Sequence, residues 1–156
     1  MIINIGSQTN RGVLEYLSRE EKSQNTIIAG PDSVTDPYLR QGSHPDIVQR
    51  VWDELGANVP LKCRCLIYGT PALVHDLTGV VIAICNGTQY NLRLTATDFR
   101  VAIAKGASTR TLWSNGKEMD SLTELGPDWI FGGWFKEEGQ WCRDTYREYG
   151  SADQAF

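Results

Sequence analysis

The chain has 156 residues, of which 41% are hydrophobic and 22% are charged, and this composition is typical of a globular domain rather than a disordered or fibrous chain. A domain of this length buries about 70% of the surface that its unfolded chain exposes, so it can fold without a metal or a disulfide. The formal net charge of −4 argues against nucleic acid as a partner, because nucleic-acid affinity comes largely from basic side chains that neutralise phosphates.

The N-terminal segment, residues 1–42, is predicted to be an arm on the main domain. It contains a possible helix near residues 9–22 and is rich in turns between Gly30 and Pro37. The arm either wraps its own domain or reaches a second subunit. The opening MIINIGSQTNRG lacks the pattern of a secretory signal, and no apolar run reaches the length of a membrane span. We therefore expect a cytoplasmic protein with no membrane partner.

A helix is predicted at residues 43–55. Ser43 is placed to cap it, Pro45 lies in the first turn, and Asp46 supplies the reciprocal carboxylate of a capping box. Gly56 is placed to end it. One face must be buried, because the apolar residues follow helical spacing: Ile47, Val48, Val51, Trp52 and Leu55.

The middle of the chain, residues 61–94, is predicted to form a four-strand antiparallel meander. Its β-rich runs are separated by Gly69-Thr70, by residues 75–79 and by Asn86-Gly87, and Asn-Gly is the strongest short hairpin signal. Two-residue turns at the first and last of these sites set the register. A first face of the sheet then holds Leu66, Leu73, Val81 and Leu92, and a second face holds Cys65, Ile67, Ala72, Val74, Val80 and Ile82. Both faces are apolar, so both must be covered.

Two further helices are predicted at residues 96–105 and 136–149. Thr95 or Thr97 caps the first of them, and Gly106 ends it. The residues expected to be buried are Phe99, Ala102 and Ile103 in the first helix, and Trp141, Cys142, Thr145, Tyr146 and Tyr149 along one face of the second.

A second hairpin is predicted around Asn115-Gly116, which separates residues 110–114 from residues 117–120. The fold class is therefore α+β. We expect a single domain built on an antiparallel β-meander covered by about three helices, with an additional hairpin in the C-terminal half. Residues 43–150 form its core, and residues 151–156 form a tail.

The cysteines do not predict a metal site. Cys63 and Cys65 lack the two-residue spacing of a zinc knuckle, and they face away from Cys85 in the predicted register. Together with Cys142, they are expected to be buried free thiols, since cytoplasmic proteins seldom form disulfides. We predict no metal and no cofactor.

No catalytic residue is predicted either. A nucleophilic pair would need Cys85 within hydrogen-bond reach of His75, but the register separates them by roughly 20 Å at 3.4 Å per residue. The sequence has no Walker A loop, no dinucleotide-binding glycine motif, no H-E-x-x-H zinc motif and no nucleophile elbow. Adjacent acids such as Glu137 and Glu138 are expected on solvated faces.

The stretch LGPDWIFGGWFKEEGQWC, residues 125–142, contains three of the five tryptophans. In a structural interpretation, Ile130 and the two phenylalanines of this stretch close the second face of the sheet, while the tryptophans border the core. In a functional interpretation, Trp129, Trp134 or both stay partly exposed, as at an interface or a ligand site. The candidate binding residues are Trp129, Phe131, Trp134, Asp128, Tyr90 and His75.

Several short stretches resemble a group of small bacterial proteins with no assigned activity. They are DPYL at 36–39, SHP at 43–45, YGTPALVH at 68–75, NGT at 86–88 and LGPDW at 125–129. The similarity covers most of residues 36–150 and excludes the N-terminal arm. It implies a cytoplasmic bacterial protein and transfers no catalytic residue.

The absent catalytic motifs, the mild acidity and the aromatic excess favour a non-enzymatic binding or accessory protein, of which an immunity factor is one type. Its partner is expected to be a more basic protein or a second copy of the chain. The alternative is an enzyme or small-ligand-binding protein with an aromatic pocket around Trp129 and Trp134, flanked by Tyr90 or His75.

Overall fold

The protein is built on a six-stranded antiparallel sheet with the strand order β1-β2-β3-β4-β5-β8. A computed structural model describes residues 3–20, 27–39, 42–113 and 116–150. The helices are α1 Gln8–Glu20, α2 Pro45–Gln49, α3 Ala96–Ala104, α4 Ser121–Glu124 and α5 Glu138–Glu148. The strands are β1 Ile28–Ala29, β2 Arg64–Ile67, β3 Thr70–Val74, β4 Val81–Asn86, β5 Gln89–Arg93, β6 Arg110–Leu112, β7 Glu118–Asp120 and β8 Trp129–Phe131. The α+β class and the four-strand meander β2 to β5 are confirmed.

The two meander turns lie one residue away from their predicted positions. Ile67 pairs with Thr70 and Asn86 pairs with Gln89, so the turns are Tyr68-Gly69 and Gly87-Thr88. Tyr68 has a φ of 48° and Gly69 a φ of 83°, and a type I′ turn needs positive φ at both central residues. The prediction was wrong here because tyrosine seldom adopts positive φ.

A β-bulge corrects the predicted faces of β4. The register shifts between Leu73, which pairs with Ala83, and Val74, which pairs with Val81. The extra residue, Ile82, therefore points to the first face with Leu73, while Val81 points to the second. The sequence-based register placed these two residues the other way round, since it assumed uninterrupted pairing.

Both faces of the sheet are covered, as predicted. The first face packs against α2, the π-helix Arg50–Leu55 that continues it, α3 and α5. The second packs against α1, the end of α4 and the hairpin β6-β7. Burial is nearly complete on both faces. At most 2% exposure remains at two residues from each face: Leu66 and Ile82 on the first, and Ile67 and Val81 on the second.

The second face is covered by the N-terminal helix, and of the three residues predicted to close it only Phe131 does so. Val13 and Leu17 of α1 are buried in its cluster, so the described part of the arm lies on its own domain. Phe131 joins this cluster, but Ile130 and Phe135 pack on the first face. Neighbouring residues of a strand point to opposite faces, which the expectation for Ile130 overlooked. The division into arm, core and tail stays a prediction.

One helix cap and one buried helix residue differ from the prediction, and a second cap agrees. His44, not Ser43, caps α2, and its Nδ1 accepts a hydrogen bond from the Asp46 N–H at 3.1 Å. Thr95 caps α3 through the Asp98 N–H. Ile103 of α3 is 41% exposed rather than buried, because Ala102 is the residue of this helix that faces the sheet.

The hairpin β6-β7 forms where it was predicted, with Thr111 opposite Met119. Asn115 of its turn signal lies outside the described residues. Within the described ranges, no helix combines the length and apolarity needed to cross a bilayer.

Candidate functional site

The six predicted binding residues do not converge on one place. Trp129 and Phe131 are buried in the second-face cluster. Tyr90 is buried on the first face, and Trp134, which is 52% exposed, lies edge-on to it with ring centroids 5.6 Å apart. The two tryptophans therefore contact opposite sides of the sheet and do not wall a common pocket.

Asp128 directly precedes Trp129, and His75 lies elsewhere, in the loop after β3. Asp128 is half-buried in the turn before β8 and has a φ of 66°. His75 is fully buried after β3, where its ring stacks on Tyr146 at 3.9 Å. One His75 nitrogen, Nε2, lies 3.0 Å from the Tyr146 carbonyl oxygen, and the other, Nδ1, accepts from the N–H of Leu77 at 3.1 Å. Both ring nitrogens of His75 thus have partners within the chain.

Trp134 is the exposed centre of a polar cluster on the first-face side. Its ring lies on the guanidinium of Arg50, 4.9 Å from the ring centroid, and its backbone N–H donates to the Tyr90 hydroxyl at 2.9 Å. We call this group, made of Trp134, Arg50, Tyr90 and Glu138, the Trp134 surface. Trp134 forms its exposed part, and the other three support it from below.

Glu138 holds the cluster together from a fully buried position. Its Oε1 accepts from the Tyr90 hydroxyl at 2.6 Å and from Arg50 at 2.8 Å, and its Oε2 accepts from the Gly133 N–H at 2.9 Å. The Tyr90 hydroxyl, which accepts the hydrogen bond from the Trp134 N–H, is thus itself held by this carboxylate. A buried charge is tolerated only when it is paired and hydrogen-bonded in this way.

Glu138 and Arg50 were not predicted as site residues. Glu138 was assigned to a solvated face, which is wrong, since it is 0% exposed. A signal was present: Glu138 precedes Trp141, Cys142 and Thr145 by three, four and seven residues, so it lies on the buried stripe of α5. Arg50 begins the π-helix, and single turns of this rare helix often occur at functional sites.

The cluster is suited to positioning rather than to proton transfer. Burial and the hydrogen bond to Glu138 raise the pKa of Tyr90 above its ordinary value, so its hydroxyl stays protonated near neutral pH. The hydrogen bonds from Arg50 to Tyr90 and Glu138 raise the pKa of Arg50, although burial acts in the opposite direction. Neither group changes charge under physiological conditions, so the arrangement is a fixed support for the exposed ring.

The four cysteines are free and buried. Burial raises the pKa of Cys142 to about 12, which leaves its thiol protonated and unreactive at neutral pH. Among the residues that the structure describes, no group of three or more metal-ligating side chains is arranged to hold an ion.

Comparisons with protein-family models, with curated proteins and with solved structures find no match to this chain.

Proposed function

We propose that this protein is a non-enzymatic binding protein that contacts a partner protein through the Trp134 surface. The proposal rests on the exposed side chain and the strained backbone of Trp134. Its side chain is half exposed, yet its backbone has a φ of 59°, which is strained for a bulky residue. Strain of this kind persists only where the surroundings impose it, and it is concentrated at functional sites.

The support beneath Trp134 suits it to act as an anchor. Tryptophan and arginine dominate the binding energy of protein interfaces, and Arg50 lies directly under the Trp134 ring. The hydrogen bonds to Tyr90 and Glu138 fix the backbone before a partner arrives. A preorganised side chain loses little conformational freedom on binding, so more of its contact energy appears as affinity.

The net charge of −4 favours a basic partner, because opposite charge accelerates encounter and suppresses wrong pairings. A second copy of the chain, which carries the same net charge, is the alternative partner, and it would place two Trp134 surfaces against each other in a symmetric dimer.

Photo-crosslinking tests the proposal directly. A benzophenone amino acid placed at position 134 is expected to crosslink a discrete protein in cells that naturally make this chain. The matched control is position 112 in β6, where Leu112 is also exposed, at 69%. Adding Arg50→Met to the position-134 probe should reduce the crosslink, because the ring loses its support. Equal crosslinking from both positions would contradict the proposal.

Self-association is measured separately by size-exclusion chromatography with light scattering. If the partner is a second copy, the wild type forms a dimer and Trp134→Ala is monomeric, whereas Leu112→Ala still dimerises. If the partner is a different protein, all three are monomers and the crosslinked product contains another chain. A dimer that persists in Trp134→Ala, together with no specific crosslink, would exclude the Trp134 surface as the contact.

A further inference from the structure

A cavity of about 750 Å³ lies between the N-terminal segment and the start of the meander. We call it the Tyr38 cavity. Its volume is within the range of small-molecule sites. One wall is formed by Pro31, Pro37 and Tyr38, and the other includes Leu61 and the ring of Trp52, which meets Tyr38 edge-on at 5.4 Å. These side chains give the cavity apolar walls. None of the residues that line it belongs to the Trp134 surface.

Charged side chains of both signs also line the Tyr38 cavity. Lys62 and Arg64 come from the start of β2, Asp32 comes from the N-terminal wall, and Asp76 comes from the loop after β3. Lys62 and Asp32 form no ion pair with each other or with any other residue in the described parts of the chain. Two opposite charges therefore border one cavity without neutralising each other.

Arg64 has one hydrogen-bond donor that is paired and one that is not. Its Nη1 donates to Asp53 of the π-helix at 3.1 Å, and Asp53 is held in place by the Tyr38 hydroxyl at 2.7 Å. Its Nε is buried and has no acceptor among the described residues. A buried donor without a partner is costly, and because solvent does not reach Nε, a ligand would contact the exposed remainder of the Arg64 side chain, which is 23% exposed.

We infer that the Tyr38 cavity binds a small zwitterion with an apolar body: an apolar amino acid or a di- or tripeptide with free ends. The ligand carboxylate lies at Lys62 and Arg64, and its ammonium group lies at Asp32 and Asp76. Lys62 and Asp32 are the two charges of the cavity without an ion pair among the described residues, so a ligand of one sign would leave one of them unsatisfied. Charge-assisted hydrogen bonds at both ends give orientation, and the apolar walls take the side chains.

The probe is the dipeptide Phe-Leu, titrated into the ¹⁵N-labelled full chain while amide and indole NMR shifts are followed. The expected shifts cluster at Leu61, Lys62, Arg64 and the Trp52 indole, with a dissociation constant of about 1 mM or tighter. N-acetyl-Phe-Leu lacks the ammonium group and Phe-Leu amide lacks the carboxylate. Each should bind about tenfold more weakly, since each loses one charged end.

Substitutions assign the two ends. Lys62→Gln should weaken binding of Phe-Leu several-fold and reduce its advantage over the amide, and Asp32→Asn should reduce its advantage over the acetylated form. Both side chains are exposed, so neither change should unfold the protein. Arg100→Gln, which removes an exposed charge on α3, should leave binding unchanged.

Trp134→Ala is also expected to bind Phe-Leu as the wild type does, which separates this site from the proposed partner surface. Two results would overturn the inference. One is the absence of cavity shifts with all of these probes. The other is equal binding of the free and blocked dipeptides, which would show that the charges of the Tyr38 cavity play no part.

Discussion

Trp134 combines strain and exposure in one residue. A bulky side chain at positive φ costs on the order of 1 kcal/mol or more, and the exposed half of the ring gains nothing from the core. Its contacts with Arg50 and Tyr90 contribute about 0.5 to 1.5 kcal/mol each at surface sites. These opposing contributions are similar in size, so the ring adds little to the free energy of folding.

The first prediction is that Trp134→Gly changes the free energy of unfolding by no more than about 1 kcal/mol, because glycine adopts positive φ without strain. Urea unfolding measures this. Trp129→Ala is the comparison, since Trp129 is fully buried and its truncation should cost about 3 to 5 kcal/mol. A loss above about 2 kcal/mol in Trp134→Gly would make Trp134 a structural residue and remove the motive for the proposed function.

His75 is held in its neutral form by the residues around it. Its Nδ1 faces two N–H donors, from Leu77 and Thr78, so it must accept, and its Nε2 faces the Tyr146 carbonyl, so it must donate. Burial lowers the pKa of His75, although the Tyr146 carbonyl and Asp76 act in the opposite direction. A proton on Nδ1 would break both backbone contacts.

The second prediction concerns pH. Because the pKa of His75 is lower in the folded state, the unfolded chain binds the extra proton first, at about pH 6.5. The His75 contribution to stability is therefore complete above this value and is lost as the pH falls below it. Unfolding free energies measured at pH 7.5 and 5.5 should show a smaller loss for His75→Gln than for the wild type. Equal losses would show that His75 does not contribute to the acid sensitivity.

At the scale of elements, α1 docks on the turn after α4 through a glycine. A β-carbon added at Gly12 would lie 2.5 Å from the carbonyl oxygen of Leu125, and real β-carbons do not approach backbone atoms so closely. Gly12 is unfavourable in an isolated helix by about 1 kcal/mol relative to alanine. Its presence in the middle of α1 is explained by this close contact.

The third prediction follows from that contact. Gly12→Ala should destabilise the protein by about 1 to 3 kcal/mol, because overpacking outweighs the gain in helix propensity. Arg11→Ala, one residue earlier and exposed, should change stability by less than about 0.5 kcal/mol. Thermal unfolding of both variants measures the difference. A stabilised Gly12→Ala would show that α1 does not lie against α4.

Helices α3 and α5 meet at a pair of carboxyl groups. Asp98 of α3 and Asp144 of α5 lie close enough for their carboxyl groups to interact, and Asp98 Oδ2 is buried with no hydrogen-bond partner among the described residues. Burial, then the interaction with Asp144, raises the pKa of Asp98 to about 6. The folded state therefore holds the Asp98 proton more tightly than the unfolded chain does.

The fourth prediction has the opposite sign to that for His75. The Asp98 contribution is complete below its unfolded pKa of about 3.9 and is lost as the pH rises through about 6. Relative to the wild type, Asp98→Asn should gain stability between pH 4 and pH 7, since the amide does not ionise at this partly buried position. A pH-independent difference in unfolding free energy between the two proteins would contradict the raised pKa of Asp98.

At the scale of the whole molecule, the two cores are the two sides of one sheet. Arg93 of β5 joins them to the surrounding elements. Its Nε donates to the Val81 carbonyl at 2.7 Å and its Nη2 to the Thr9 carbonyl at 3.0 Å, and its guanidinium lies between the rings of Trp129 and Tyr149. Burial lowers the pKa of Arg93 to about 10, so it remains charged near neutral pH while fixed to β4, α1, β8 and α5.

The fifth prediction is that the described domain unfolds in one step. Both cores are built on the same strands. Loss of the helices from one face would expose the sheet on which the other core also depends, so α1 should unfold together with α5. Urea transitions followed by far-UV circular dichroism, by tryptophan fluorescence and by amide exchange in α1 should coincide. Early loss of α1 alone, at lower urea, would show that residues 8–20 are a detachable arm.

The sequence pattern predicted the elements better than their faces and ends. Alternating apolar runs and hairpin signals located the meander, and helical spacing located α2, α3 and α5 with errors of a few residues. The Ile82 bulge and the Tyr68-Gly69 turn were missed, because each depends on how neighbouring strands fit rather than on local propensity. Trp134 was a correct candidate for exposure, whereas His75 and Trp129 are buried.

What the sequence determined by itself was the α+β class and the need to cover two apolar faces, since both follow from the spacing of apolar residues along the chain. Only the tertiary structure decided that α1 covers the second face and that Glu138 lies buried beneath Trp134. Both outcomes depend on contacts between residues far apart in sequence, such as Tyr90 with Glu138 at 2.6 Å. The burial of a charge is set by the partners that folding brings to it, and no local pattern specifies those partners.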